Sequence, residues 1–472
     1  MGRREEIPYL ALDIGAGSGR AMLGFPVDDC LEIREIHRFP NKPVPLGGVL
    51  YWDFLSLWDN VLEALKKCAA AGHTELKGIG IDAWNVDFGL VDRTGALLHN
   101  PVCYRHPASA RVMTALEERI GAEELYGITG FGPSPISGLS RLLQFRQDHG
   151  EGFFAPVDRV LPMPDLLRFF LCGTRNAEET ILWGTQLMDV RTRVMSSRLF
   201  DLFGIPARLF SAPVASGTVA GELLPGIAEH TGVRAAPVIA VAGHDTISAL
   251  VPAVRAERGT ALLCTGTWFI LGRLFREPVT SGSALRRGFL NEIAVDGLTF
   301  FAKNMMGFYL LEDLIRRWRL TDPDCAYETL FREAADAPAR GVAIDVNDPE
   351  FFSSTNAARS LAGYFARTGQ PPSPARGAVV RGLLEGLADS CRAALADLEE
   401  LTGEKAARVL VLGGGARNAL LCRLIEEAVG CTVIAGPAEA TVEGNIGMQM
   451  IARGERGSLK DLPAARRRTD GS

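Results

Sequence analysis

Three short segments of the chain hold the residue types that move phosphoryl groups. Gly243-His-Asp-Thr246 follows the apolar run Val238–Ala242, which delivers the carboxylate of Asp245 at the end of a buried strand. A carboxylate so placed can take the proton of a substrate hydroxyl as that hydroxyl attacks phosphorus. Asp245 or Thr246 could also cap a helix starting near Ile247, and the two roles are compatible. His244 is read as a residue that orients or packs rather than one that reacts. The second segment is Gly15-Ala-Gly-Ser-Gly19. Glycines there expose backbone N–H groups that can cradle phosphate oxygens, and Ser18 adds a hydroxyl donor. It is a poor dinucleotide fingerprint, because Arg20 stands where the third glycine belongs. Asp13, just before the turn, would repel a polyphosphate unless a divalent cation lay between them, so the pattern fits a magnesium nucleotide. A plain hairpin turn is the alternative. The third segment, Gly266-Thr267, has the same small, amide-exposing character and could grip phosphates from the opposite wall.

Three further groups could serve a ligand. Val411-Leu-Gly-Gly-Gly-Ala-Arg-Asn418 ends a strand with three glycines before a helix, so the backbone either approaches a flat ring or phosphate closely or simply caps the helix. Asp82, Trp84 and Asp87 could form a polar and aromatic platform for a sugar face; alternatively Trp84 is core and both carboxylates cap or pair. Asn304 has an amide that could read hydroxyls or cap a turn.

The elements that must position these residues alternate. Apolar runs bounded by glycine recur at Tyr9–Ile14, Gly78–Ile81, Val238–Ala242, Ala261–Cys264 and Val409–Leu412, and each reads as a buried strand. Helical spacing lies between them: Leu55, Trp58, Leu62 and Leu65 in one segment, Leu384, Leu387, Cys391, Leu395 and Leu398 in another. This is an α/β architecture. Strand, glycine turn and strand occur twice, at Tyr9–Gly24 and Gly259–Gly272, which predicts two related domains facing each other with a boundary near Gly243. Pro371-Pro372-Ser373-Pro374 reads as a surface loop.

Composition narrows the function classes. The 472 residues suit two or three domains, and 47% hydrophobic against 22% charged residues is a globular balance. With 50 Lys and Arg against 56 Asp and Glu, the net charge of −6 argues against a nucleic-acid partner. Arg466-Arg467-Arg468 reads as a solvated tail. No apolar stretch is long enough for a membrane span, and Arg3-Arg4 is followed by Glu5-Glu6 rather than an export signal. Nine scattered cysteines without a C-x-x-C pair fit neither a disulfide scaffold nor structural zinc, so a reducing, cytoplasmic location is expected.

Taken in order, these segments resemble the FGGY family of carbohydrate kinases. The resemblance runs from Leu12-Asp-Ile-Gly-Ala-Gly-Ser-Gly-Arg20 to Gly436-Pro-Ala-Glu-Ala-Thr-Val-Glu-Gly-Asn-Ile-Gly447. Between these it passes through Arg34-Glu-Ile-His-Arg-Phe39, Gly80-Ile-Asp82, Leu161-Pro-Met-Pro-Asp165, Gly243-His-Asp-Thr246, Gly266-Thr-Trp268, Lys303-Asn304 and Gly413-Gly-Gly415. It implies an actin-like pair of ribonuclease-H-like α/β domains, residues 1–243 and 244–472, with the active site in the cleft and the last helix packing back on the first domain. The implied reaction moves the γ-phosphate of MgATP to a ketose, L-rhamnulose at its 1-hydroxyl ahead of another ketose or a polyol. Asp245 then matches the proton acceptor, and His244, Thr246 and Asn304 match substrate contacts. Ala16, Gly17, Ser18, Gly19, Arg20, Thr267 and Gly414 match ATP positions, and Asp13 matches a carboxylate that meets Mg²⁺ through water.

The sequence departs from the family pattern at three places. Asn85 replaces a usual glycine at a position expected to face the sugar. Tyr104-Arg-His-Pro-Ala108 lacks the carboxylate and guanidinium expected where His106 and Ala108 stand. Glu312 replaces a glutamine on the nucleotide side, which puts an anion near ATP unless it faces solvent. A sensing protein without turnover is the alternative from another class, and the retention of Asp13, Asp245 and Thr267 stands against it.

Overall fold

The computed structural model describes residues 7–467, apart from 235, 324, 353–355 and 372–373. The Arg3-Arg4 start, Pro372-Ser373 of the proline loop and Arg468 of the basic run lie outside the described residues.

Two mixed sheets repeat one plan. The first holds β1 (Tyr9–Ile14), β2 (Ser18–Val27), β3 (Cys30–Pro40), β4 (Gly78–Ala83), β5 (Thr218–Glu222) and β6 (Pro237–Ala240), in the order β5-β6-β4-β1-β2-β3. The second holds β7 (Thr260–Thr265), β8 (Trp268–Phe275), β9 (Phe289–Ile293), β10 (Thr299–Met306), β11 (Arg408–Gly413) and β12 (Thr432–Ala435), in the order β9-β10-β8-β7-β11-β12. In each, a glycine-turned hairpin leads to a third antiparallel strand on one side, while two parallel strands flank the first strand on the other. The five apolar runs are five of these strands. β1 is buried at every position, as a central strand covered on both faces must be.

Register matters most in the first sheet. β1 and β4 run parallel with Asp13 beside Asp82, so two carboxylates emerge side by side near the strand ends. Ile14 C=O accepts from Trp84 N–H at 3.2 Å, and Gly243 C=O accepts from Ala83 N–H at 2.9 Å. These bonds tie the ends of β1 and β4, and the chain leaving β6, into one platform. It lies where open α/β sheets bind ligands, beyond the carboxyl ends of the parallel strands.

Four helices fix the layers. Helix α1 (Phe54–Ala70) starts at Asp53, whose side chain accepts from Ser56 N–H at 3.1 Å. Its buried stripe is Phe54, Leu57, Val61, Ala64, Leu65 and Cys68, one residue away from the expected stripe, and Leu55 is 68% exposed. Both stripes have helical spacing, so periodicity alone does not choose between them; packing chose the one carrying Phe54, Val61 and Cys68. Helix α2 (Asp245–Leu250) begins at the predicted base. Helix α3 (Arg376–Thr402) buries Leu384, Leu387, Cys391, Leu395 and Leu398 as its spacing predicts. Helix α4 (Ala440–Ala452) follows the second sheet in sequence yet docks on the first. Asn445 Nδ2 donates to Asp82 Oδ2 at 2.6 Å, and Gln449 Nε2 donates to Leu10 C=O at 3.0 Å, all of it buried.

The reading of the basic run is corrected for Arg466 and Arg467, which belong to a strand and not to a solvated tail. β13 (Ala464–Arg467) pairs in parallel with β3, and Arg466 bridges to Glu32 at 2.8 Å. Its unpaired edge carries the charge that discourages further pairing. All nine cysteines are free thiols. Among the described residues no helix is long and apolar enough to cross a membrane.

Asn445→Ala removes the amide that satisfies Asp82 and leaves a buried carboxylate without its donor. The expected cost is ~1–3 kcal/mol, seen as a lowered melting temperature; an unchanged melting temperature would show that α4 docks without this bond.

Candidate active site

A cavity of about 760 Å³ opens between the two sheets. The turn after β1 supplies Gly15, Ala16, Gly17 and Ser18 to its wall, and the turn after β7 supplies Gly266 and Thr267. Asp13, Asn85, His244, Asp245, Thr246, Asn304 and Glu312 also line it. The structure therefore brings most of the sequence-predicted site into one cleft. Gly19, Arg20 and Gly414 lie off the lining, and so do His106 and Ala108.

Asp245 opens α2 with its side chain 29% exposed toward the cleft. Its Oδ1 accepts from Thr246 N–H at 2.6 Å and from the Thr246 hydroxyl at 3.3 Å, and His244 Nε2 stands 3.5 Å away. Oδ2 has no partner among the described residues, so one oxygen is anchored and the other faces the cavity. Partial burial pushes the carboxyl up to about 6, against the opposing effect of His244 and with reinforcement from Asp13. That is a suitable poise for a base near neutral pH.

The loop carrying Asp245 is held from behind by a residue the sequence reading passed over. Glu178 is fully buried, and its Oε2 accepts from Gly243 N–H at 3.0 Å, Thr180 N–H at 3.0 Å and the Thr180 hydroxyl at 2.6 Å. Asp165, in turn, accepts from Glu178 N–H at 3.1 Å and pairs with Arg168 at 2.8 Å. These are acidic residues on a motif of the resemblance and just beyond it. No spacing rule in the sequence marks them as supports for Gly243.

The first turn is also supported from outside its own segment. Buried Asn41 donates Nδ2 to Gly15 C=O at 2.9 Å and its N–H to Gly17 C=O at 3.1 Å. Its position at the end of β3 has no sequence signal beyond an asparagine after a strand. Gly17 has open space where a side chain would stand, as a ligand cradle needs. Gly19 is glycine for another reason: a Cβ there would sit 2.2 Å from the Phe39 ring. The three glycines from the last residue of β11 onward divide similarly. Gly413, at φ +83, and Gly415 are packed on Thr265, whereas Gly414 is exposed and has nothing within 4 Å of a Cβ.

Arg20 is held by two carboxylates, Asp13 at 2.5 Å and Glu439 at 2.5 Å, and Glu439 also receives Arg417 at 2.6 Å. Its guanidinium therefore neutralises the Asp13 side of the cleft and ties the first sheet to the start of α4. Asp82 lies fully buried beside Asp13, and its Oδ1 lacks a partner among the described residues. Burial, followed by the Asp13 charge, raises Asp82 well above the usual carboxylate range, against the Asn445 bond.

Asp87 belongs to the structural reading. It is buried, and its Oδ2 accepts from Trp52 Nε1 at 2.6 Å, Trp84 Nε1 at 2.9 Å and Tyr104 N–H at 3.1 Å. Trp84 does both jobs, being 5% exposed and on the cavity wall. Other aromatic rings on that wall were not predicted: Tyr104, Phe131 and Trp183, the last two stacked at 5.0 Å. Asn85 folds against its own loop, with Oδ1 accepting from Val86 N–H at 2.7 Å and the carboxamide pressed on Gly184. The expected effect of His106 on the sugar surface is corrected. His106 precedes the short 3-10 helix Pro107–Val112, away from the cavity, and burial followed by Arg141 and Arg111 lowers its pKa. Glu312 is exposed at the cavity rim, 3.5 Å from the Thr267 hydroxyl. Lys303 points the other way, to Asp397 at 3.0 Å.

Comparison with known proteins agrees with this arrangement. The models of the N-terminal and C-terminal domains of the FGGY family of carbohydrate kinases match residues 8–252 and 261–453. The chain belongs to that family. A rhamnulokinase of Bacteroides thetaiotaomicron is 36% identical over 447 residues, covering 95% of this chain and 91% of the relative. A rhamnulokinase of Enterococcus faecalis is 34% identical over 465 residues, covering 98% and 92%. Among solved structures, xylulose kinase from Rhodospirillum rubrum superposes with a TM-score of 0.75 at 20% identity, over 97% of this chain and 92% of that one. Glycerol kinase of Plasmodium falciparum, with ADP, gives 0.75 at 16% identity over 97% and 91%. These solved structures share the two-domain α/β fold, and by its family and its rhamnulokinase relatives the enzyme is a sugar kinase.

Asn41→Ala is expected to free the first turn, costing about 1 kcal/mol, and thus to raise KM for the phosphate donor ~5-fold with little change in KM for sugar. Equal KM values in both proteins would remove Asn41 from the account.

Proposed function

We propose that the enzyme transfers the γ-phosphate of MgATP to the 1-hydroxyl of L-rhamnulose, with Asp245 as the base. The observation that carries this reading is the divided Asp245 carboxylate, Oδ1 anchored and Oδ2 open, between two glycine turns on facing walls. The rhamnulokinases named above support the choice of ketose. The substrate hydroxyl gives its proton to Oδ2 as it attacks, so charge does not build up on the sugar oxygen. The N–H groups of the two turns, and the Ser18 and Thr267 hydroxyls, hold the donor phosphates in line. The stacked Phe131 and Trp183, with Trp84 and Tyr104, offer apolar faces to the sugar and keep water from competing as acceptor.

The donor set fits Mg²⁺. Asp13 lines the cleft with Arg20 as a compensating cation, and the Oδ1 of Asp82, buried beside it, has no hydrogen-bond partner among the described residues. Among the described residues no group of three His, Cys, Asp or Glu side chains could hold a metal alone. Magnesium keeps much of its water and uses one or two carboxylates plus phosphates. Asp13 would hold it through water, and the ion would neutralise the charge of the phosphates.

Asn85 bears on which ketose fits. Because its carboxamide is pressed on Gly184, it forms part of the pocket wall. Asn85→Gly should widen the pocket and shift the ratio of kcat/KM values toward L-rhamnulose; an unchanged ratio across a ketose and polyol panel would refute this.

Two measurements test the reaction itself. ADP release from MgATP should depend on L-rhamnulose, and Asp245→Asn should abolish it while MgATP binding stays nearly intact. Turnover by that variant at the wild-type rate would sink the assignment. The base must be ionised, and its pKa is raised to about 6, so kcat/KM should fall as pH drops through about 6, approaching tenfold per unit below it. A plateau continuing down to pH 4.5 would contradict that.

A further inference from the structure

One buried carboxylate at this site has no part in the steps above. Glu292 lies in the strand Phe289-Leu-Asn-Glu-Ile293, with its side chain 2% exposed. Its Oε2 stands 3.3 Å from His244 Nδ1, and neither atom makes a hydrogen bond to any described residue. On the far side of the same ring, Nε2 stands 3.5 Å from Asp245 Oδ1. One buried imidazole therefore spans two carboxylates. A buried carboxylate and a buried ring nitrogen are each costly when unpaired, and the cost falls for both if a proton on Nδ1 faces Oε2. With Nδ1 so occupied, a second proton on Nε2 faces Asp245.

We propose that Glu292 is the positioning residue for the base: it fixes His244 with both ring nitrogens protonated and Nε2 toward Asp245 Oδ1, leaving Oδ2 free for the sugar hydroxyl. The proposal rests on Asp245 being the base. It also links the base to the way the halves meet, because Glu292 and His244 come from opposite sides of the cleft. β9 belongs to the second sheet, yet Asn291 N–H donates to Gly130 C=O at 2.8 Å and Asn291 Nδ2 donates to the Tyr126 hydroxyl at 3.1 Å, both in the first half. The strand is thus bonded to both halves at the residue before Glu292.

The charged surroundings favour a protonated ring. Burial opposes the charge, but Glu292, then Asp245 and Glu178, outweigh it and raise His244. Asp13 and Asp82 face Asp245 from β1 and β4, and Cys264 on β7 is kept a neutral thiol by burial.

The test is Glu292→Gln in the full-length enzyme, with ¹⁵N NMR of the imidazole rings. In the wild type at pH 7, His244 should be protonated on both nitrogens, and in the variant it should be neutral. With that cation lost, Asp245 should be harder to ionise. The acid limb of the pH profile should therefore move to higher pH, and kcat at pH 7 should fall at least tenfold, with KM for MgATP within twofold. Glu292→Asp, which keeps the charge, should recover part of the loss. Wild-type kcat and an unmoved acid limb in Glu292→Gln would overturn the proposal. So would a neutral His244 in the wild type at pH 7, which decides the matter even if the variant fails to fold. Full turnover by Asp245→Asn would instead remove the base assignment while leaving the ring measurement to stand.

Discussion

Parallel strands that end together bring their last side chains together, and in this enzyme those side chains are acids. Asp13 and Asp82 lie side by side across β1 and β4, and Asp245 opens the helix just past β6. Like charges in a partly dry cleft repel strongly. The surrounding structure manages that repulsion. Arg20 covers Asp13, Asn445 covers one oxygen of Asp82, and Thr246 and His244 surround one oxygen of Asp245. In the proposed reaction, the remaining compensation would come from a divalent cation and from the proton that Asp245 accepts. A carboxyl raised to about 6 binds its proton more tightly folded than unfolded, so its contribution to stability declines as pH rises from about 4 to about 6. The site is therefore built at some expense to the fold, as perturbed groups in active sites commonly are.

The two sheets share this labour unequally. The first carries Asp13 and most of the aromatic wall, and the second contributes the Gly266-Thr267 turn, Asn304 and the carboxylate behind His244. Neither sheet alone surrounds a ligand. The cavity lies between the two hairpin turns, each of which joins the central strand of its sheet to an antiparallel neighbour.

Much of this was legible in the sequence because it is local. The five apolar runs, the two glycine hairpins and the carboxylate after β6 are each written in under twenty consecutive residues, and all of them fold as read. Residues that act on another segment were not legible. Asn41 supports Gly15 from across β3, and Glu178 holds Gly243 from 65 positions away. Glu292 left one trace, an acid in a short strand that is otherwise apolar except for Asn291, but its partner His244 lies beyond a strand of the other sheet. The stripe of α1 shows a different limit, since two neighbouring stripes satisfy the same period. Arg466 and Arg467 looked like a tail because a short charged strand becomes recognisable only through the edge it pairs with.

That final strand has a consequence for how the molecule is made. Tyr9, Ala11, Met22, Leu31 and Ile33 of the first sheet are covered by Val442, Ile446 and Met450 of α4, and β13 then closes the edge beyond β3. Strands at the start of the first sheet thus wait for residues more than 400 positions later before one of their faces is dry. Cutting the gene between the two sheets would yield a front half with a greasy back and a rear half with an orphaned helix. The second half is thus clasped to the first by α4 and β13, and one core cluster runs from Ile239 and Val241 to Leu262 and Ile270 across both sheets.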